Sequence, residues 1–117
     1  FSRLAKSLQL EILLELHDEK EIESIVDEVD LIGINNRNLK DFKVDLEQSV
    51  RLAESIPGNF IKVAESGIDS PETIFELRKF GFKGFLIGER FMREKQPEKA
   101  CAEFIQQMIL SNEKQIL

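Results

Sequence analysis

Ile61-Lys62-Val63-Ala64-Glu65-Ser66-Gly67 is an apolar run of strand length that ends in a carboxylate, a hydroxyl and a glycine. Ser70-Pro71 follows almost at once and reads as a helix start. Serine caps the first turn, and proline fills a position whose N–H has no helical partner. Ile74, Leu77 and Phe80 then recur at helical spacing as a core-facing stripe, and Gly81 closes the helix. This stretch predicts a strand at about 60–64 passing directly into a helix, with polar residues at the joint.

The same unit recurs on both sides. Ile12-Leu13-Leu14-Glu15-Leu16-His17-Asp18 puts a strand at 11–16. Asp18 and Glu21 beyond it make a capping-box-like start for a helix striped by Ile22, Ile25, Val26 and Val29. Leu31-Ile32-Gly33-Ile34-Asn35-Asn36-Arg37 gives a strand over about 30–34, then a polar loop to about Asp45. A helix carrying Leu46, Val50, Ala53 and Ile56 follows, ended by Pro57-Gly58. Phe85-Leu86-Ile87-Gly88-Glu89-Arg90 gives a strand at about 84–87, a short helical turn, and a last helix from about 97 to 110. Residues 1–10 read as the end of a preceding helix, and 111–117 as a frayed tail. Strict alternation with short connections predicts right-handed crossovers and a parallel sheet in an α/β fold. The whole, 1–117, reads as a single domain. Four such units are half of a closed (β/α)8 barrel.

Composition narrows the function. At 117 residues, 42% hydrophobic and 32% charged, the chain has the size and balance of one small soluble domain. No apolar run approaches the ~18–20 residues of a membrane span, and no signal-peptide pattern opens the chain. It begins at Phe1 inside what reads as a helix, which predicts a piece of a longer protein. The net charge of −6 opposes a nucleic-acid or anionic-membrane role while leaving room for a small anionic ligand. The one cysteine, Cys101, lies in a helical pattern with Ala100, Phe104, Ile105 and Met108 and reads as an inert buried thiol, which fits a reducing cytoplasm.

Strand alternation sorts the polar residues. Leu13 and Glu15 share a face, as do Gly33 and Asn35, and Ile61, Val63 and Glu65. Two carboxylates and an amide thus stand at or near the carboxyl ends of strands, where ligands collect in parallel βα proteins. A carboxylate among apolar neighbours serves as a general acid or base near neutral pH. Either glutamate alone reads as a satisfied structural group; their recurrence at equivalent positions, with Asn35, favours chemistry. Ser66-Gly67 and Gly88-Glu89 read as anion cradles, with two ordinary turns as the plainer alternative. Arg37 is placed to pair with a carboxylate, either a ligand's or a neighbouring glutamate's, or simply to order its loop. His17 is the single histidine and no metal pattern exists, so no metal is assigned. Asp18 reads as a cap, and Arg90-Phe91-Met92-Arg93-Glu94-Lys95 as a solvated helix end.

Leu14-Glu15-Leu16-His17-Asp18, Ile32-Gly33-Ile34-Asn35-Asn36-Arg37-Asn38-Leu39, Val63-Ala64-Glu65-Ser66-Gly67-Ile68 and Phe85-Leu86-Ile87-Gly88-Glu89 together resemble the carboxy-terminal half of indole-3-glycerol phosphate synthases. The likeness covers about residues 5–108, and Gly33-Ile34-Asn35-Asn36-Arg37-Asn38-Leu39 is its most diagnostic segment. It implies a TIM barrel of which these are strands five to eight. It also implies a lyase of tryptophan biosynthesis acting without a cofactor: 1-(2-carboxyphenylamino)-1-deoxyribulose 5-phosphate closes its ring, loses carbon dioxide and water, and gives indole-3-glycerol phosphate. The resemblance makes Glu15 the general base, and makes Asn35 and Glu65 groups that orient substrate or stabilise intermediates. Arg37 falls at the site rim, and Ser66, Gly67, Gly88 and Glu89 in the phosphate loops. Glu89 stands where some relatives have serine, so a contact there is through its backbone N–H. The family's general-acid lysine, a second active-site lysine and another glutamate come from the first half of the barrel. Lys62, within a strand, has the opposite parity to Glu65 and is expected to point away.

The leading expectation is therefore a synthase half that is inactive alone, with a phosphate- and carboxylate-bearing small molecule as its partner. Another phosphate-binding barrel, such as a phosphoribosylanthranilate isomerase relative, is the second reading. The third is a non-catalytic module that self-associates through its two open sheet edges.

Overall fold

The computed structural model of the chain describes residues 2–36 and 46–116, with side chains through Asn112. In chain order the elements are α1 (Ser2–Ser7), β1 (Leu13–Leu16), a 3-10 helix (Glu19–Ser24), β2 (Leu31–Asn35), α2 (Leu46–Glu54), β3 (Ile61–Glu65), α3 (Pro71–Lys79), β4 (Phe82–Leu86), α4 (Glu89–Met92) and α5 (Pro97–Ile116). The four strands are parallel and lie side by side in chain order. A doubly wound sheet reverses its strand order at a switch point, whereas here every crossover steps to the next neighbour in one direction. The fold is half of a (β/α)8 barrel.

Alternation along the strands gives the sheet two unlike faces. Leu16, Ile32, Ile34, Ala64 and Phe82 turn toward the helices and are buried with Leu52, Ala53, Ile74, Leu77 and Phe104. On the other face Leu13 and Ile61 are each 44% exposed and Leu86 51%. One face is a packed core, and the other is the concave wall of an open half barrel.

Local signals formed where the sequence placed them. The Asp18 capping box is complete: the Lys20 N–H donates to Asp18, and Glu21 accepts from the backbone N–H groups of His17 and Asp18. Ser70 caps α3 with Pro71 in its first turn, and Gly81 follows with a φ of +95°. Asp30 accepts from the Lys6 ammonium at 2.6 Å and from the Ile12 N–H at 2.6 Å, which pins the first segment to the start of β2. These donors hold its carboxyl below the usual carboxylate range.

Other expectations need correction. The helix read over Ile22–Val29 is a 3-10 turn ending at Ser24; β-branched Ile25 takes an extended conformation as its C-cap, and Val26 is exposed. Val29 nonetheless reaches the core. In α2 the buried side chains are Ser49, Leu52 and Ala53, with Leu46 and Val50 only partly covered. Phe80, expected in the core, is 44% exposed, because α3 ends at Lys79 and the chain turns there. β4 begins at Phe82 and carries a bulge: Lys62 pairs with Phe82 and Val63 with Gly84, leaving Lys83 as the extra residue. α5 continues to Ile116 through the segment expected to fray. Arg37, Asn38 and Leu39 lie outside the described residues, as does the rest of the loop up to residue 45.

Candidate active site

The carboxyl ends of the strands meet at one rim around a cavity of about 540 Å³. Glu15, Asn35 and Glu65 line it from β1, β2 and β3, and Ser66 and Gly67 continue the wall. Gly88, Glu89, Arg90 and Arg93 close the side beyond β4. The structure thus brings together every described residue that the sequence assigned to the site, Arg37 lying outside the described residues. Lys62 is not part of the wall, as its parity requires.

Register explains the arrangement. Asn35 pairs with Glu65 across β2 and β3, while Glu15 pairs with Gly33, one layer deeper along the sheet. The Asn35 amide donates to Glu15 Oε1 at 2.9 Å. The Glu15 and Glu65 carboxyls stand beside each other, and each shifts the acidity of the other. Burial, and then the bond and charge of Glu15, push Glu65 up to about 7. The hydrogen bond from Glu65, with that from Asn35 and the field of His17, holds Glu15 below the usual range despite its own partial burial. His17 Nε2 lies 3.9 Å from Glu15 Oε1. Below about pH 7 the site therefore offers an ionised proton acceptor at Glu15 beside a carboxyl that holds its proton. Two identical groups pushed apart in acidity are chemically suited to acid–base work.

The other end of the cavity is built from loops. Ser66 and Gly67 both adopt left-handed backbone, with φ of +66° and +70°. For serine this is a strained conformation, of the sort that persists only where its surroundings enforce it. Asn36 enforces it: buried at the end of β2, its amide donates to the Ser66 carbonyl at 2.8 Å while its backbone N–H donates to the Glu65 carbonyl at 2.8 Å. Across the cavity, Gly88 caps the short helix α4, and Phe91 stacks edge-on against Phe104 of α5 at 5.4 Å, fixing that wall to the core.

Arg90 corrects the sequence reading. Instead of a solvated helix end, it is half-buried on the cavity wall, with its Nε donating to the Asp69 carbonyl at 3.4 Å and its guanidinium paired with Glu94 at 3.0 Å. Arg93 lines the same wall and reaches the Asp69 carboxylate at 3.5 Å. For Arg90 the signal available is its position: residues in the first turn after a strand-end glycine face the rim. In the sequence Asn36 stands out only as part of the Gly33–Leu39 segment. Its structural duty follows from burial that spacing does not reveal.

Strand ends carrying an acid–base pair, on sequentially wound βα units, define a (β/α)-barrel protein with its site at the carboxyl rim. The family follows from comparison. A family model described as indole-3-glycerol phosphate synthase matches residues 1–104. The chain is 48% identical over 101 residues to the indole-3-glycerol phosphate synthase of Bacteroides thetaiotaomicron, an alignment covering 86% of this chain and 39% of that protein. It is 49% identical over 102 residues to that of Koribacter versatilis, with the same coverage, and 44% identical over 109 residues to that of Caldanaerobacter subterraneus, covering 92% and 42%. The chain belongs to the indole-3-glycerol phosphate synthase family. It spans about two fifths of the length of these relatives.

Proposed function

We propose that this chain supplies the proton-accepting and phosphate-holding side of an indole-3-glycerol phosphate synthase. The reaction is the cofactor-free ring closure of 1-(2-carboxyphenylamino)-1-deoxyribulose 5-phosphate with loss of carbon dioxide and water. The observation that carries this reading is the hydrogen-bonded Glu15–Glu65 pair sharing one cavity with Ser66, Gly67 and Gly88. Glu15, kept ionised and oriented by Asn35, is the general base. Glu65 and Asn35 orient the substrate and steady the charge that develops during closure. Ser66, Gly67, Gly88 and the backbone of Glu89 receive the phosphate, with Arg90 and Arg93 adding positive charge to that wall. Arg37 is assigned the substrate's carboxylate. None of the described residues on the cavity wall is a lysine, so the general acid comes from elsewhere in a complete barrel. The single thiol fits work in the cytoplasm.

The test is a chimera in which this chain replaces the matching segment of the Bacteroides relative. The chimera is expected to form indole-glycerol phosphate, and the isolated chain is not. Robust turnover by the isolated chain contradicts this division of labour. Conversion of phosphoribosylanthranilate in its place favours the isomerase reading.

The exposed Leu13, Ile61 and Leu86, with the unpaired edges of β1 and β4, favour one further reading, in which two copies close a pseudo-barrel. Sedimentation of the isolated chain decides it, since a folded monomer excludes that pairing.

A further inference from the structure

Gly33 sits in the middle of β2, paired with Glu15 of β1 on one side and Val63 of β3 on the other. Its backbone is not left-handed, so conformational freedom does not explain the glycine. Space does. A Cβ at this position would lie 2.6 Å from Glu65 Oε1, 2.9 Å from its Cδ and 3.3 Å from its Oε2. Glu65 itself pairs with Asn35, two residues further along β2. Its side chain must therefore fold back over the strand to reach the layer where Glu15 stands. The room it occupies is the side-chain space that Gly33 leaves empty.

We propose that Gly33 is a positioning residue: its missing side chain is the slot that holds the Glu65 carboxyl against Glu15, and any larger residue there parts the two while leaving the sheet intact. The three nearest atoms an added methyl meets all belong to the end of one flexible side chain, so the strain is relieved by moving that carboxyl rather than any strand. The charged and titratable groups around the pair are His17 just after β1, Asp69 in the loop after β3, and Glu89, Arg90 and Arg93 on the α4 side. The slot stands on geometry alone; its catalytic consequence rests on the synthase reading above.

The experiment is a carboxyl-carbon NMR titration of the full chain carrying labelled glutamate, with circular dichroism recorded alongside. In Gly33→Ala the Glu65 midpoint is expected to fall from about 7 toward the ordinary 4.5, and that of Glu15 to rise toward it. In a Glu65→Ala background, Gly33→Ala should leave the Glu15 midpoint unmoved. Unchanged midpoints in the single variant overturn the proposal, as does an equal displacement of Glu15 in both backgrounds. If Gly33→Ala unfolds the chain, rescue by Glu65→Ala supports a steric slot and failure of rescue overturns it. In the chimera, Gly33→Ala should lower kcat by about 10²-fold with KM little changed, the scale of a misplaced catalytic group. An inactive parent chimera would defeat the synthase reading and leave the titration to judge the slot.

Discussion

Glu15 and Glu65 carry the same functional group, yet the rim separates them by burial and by which donors each meets. That separation has a consequence for stability. Glu65 binds its proton in the folded state up to about pH 7, while an unperturbed glutamate releases it near 4.5. Its contribution is present in full below the lower value and is lost as pH rises through the higher one. Wild type should therefore lose stability between about pH 5 and pH 8 relative to Glu65→Gln, which has no proton to lose. Urea unfolding of both chains at the two pH values measures this, and parallel curves would contradict it. Asn36 gives a second expectation at this scale. Its buried amide holds the Ser66 carbonyl, so Asn36→Ala should cost about 1–3 kcal/mol and release the left-handed Ser66. Denaturation, with the amide resonances of Ser66 and Gly67, reads both effects.

At the scale of elements, the rim depends on how α4 is anchored. Phe91 packs on Phe104, which is 5% exposed and joins the core beneath α3 and α5. Phe104→Ala should cost about 3 kcal/mol and shift the resonances of Gly88 through Arg93, while leaving those of Glu15 and Asn35 in place. Much of this layer was legible in the sequence. Asp18 with Glu21, Ser70 with Pro71, and Gly81 signalled their caps correctly, because capping is local chemistry. Strand parity placed Glu15, Asn35 and Glu65 on one wall, because alternation is fixed by the pleat. What failed depended on partners distant in sequence. The bulge at Lys83 is set by how β4 pairs with β3, a partner some twenty residues away in sequence. The cavity-facing Arg90 and the slot at Gly33 needed the register of three strands at once.

At the scale of the whole molecule, the sheet is packed on one face and open on the other. The radius of gyration, 15.6 Å, exceeds the roughly 13 Å expected of a compact chain of this length. Leu13, Ile61 and Leu86 stay exposed at the concave wall, where a closed barrel fills its interior with side chains from all its strands. The proposed site is divided in the same way, with Glu15, Glu65 and the Ser66-Gly67 and Gly88 loops gathered here and no lysine among the described residues on the wall. Function and packing thus call for the same complement. The most direct test is the turnover of the arylamino-deoxyribulose phosphate by the barrel chimera with and without Glu15→Gln. The account expects the substitution to reduce kcat by about 10²–10⁴-fold, the contribution of a positioned general base. Equal turnover by the two chimeras would contradict it.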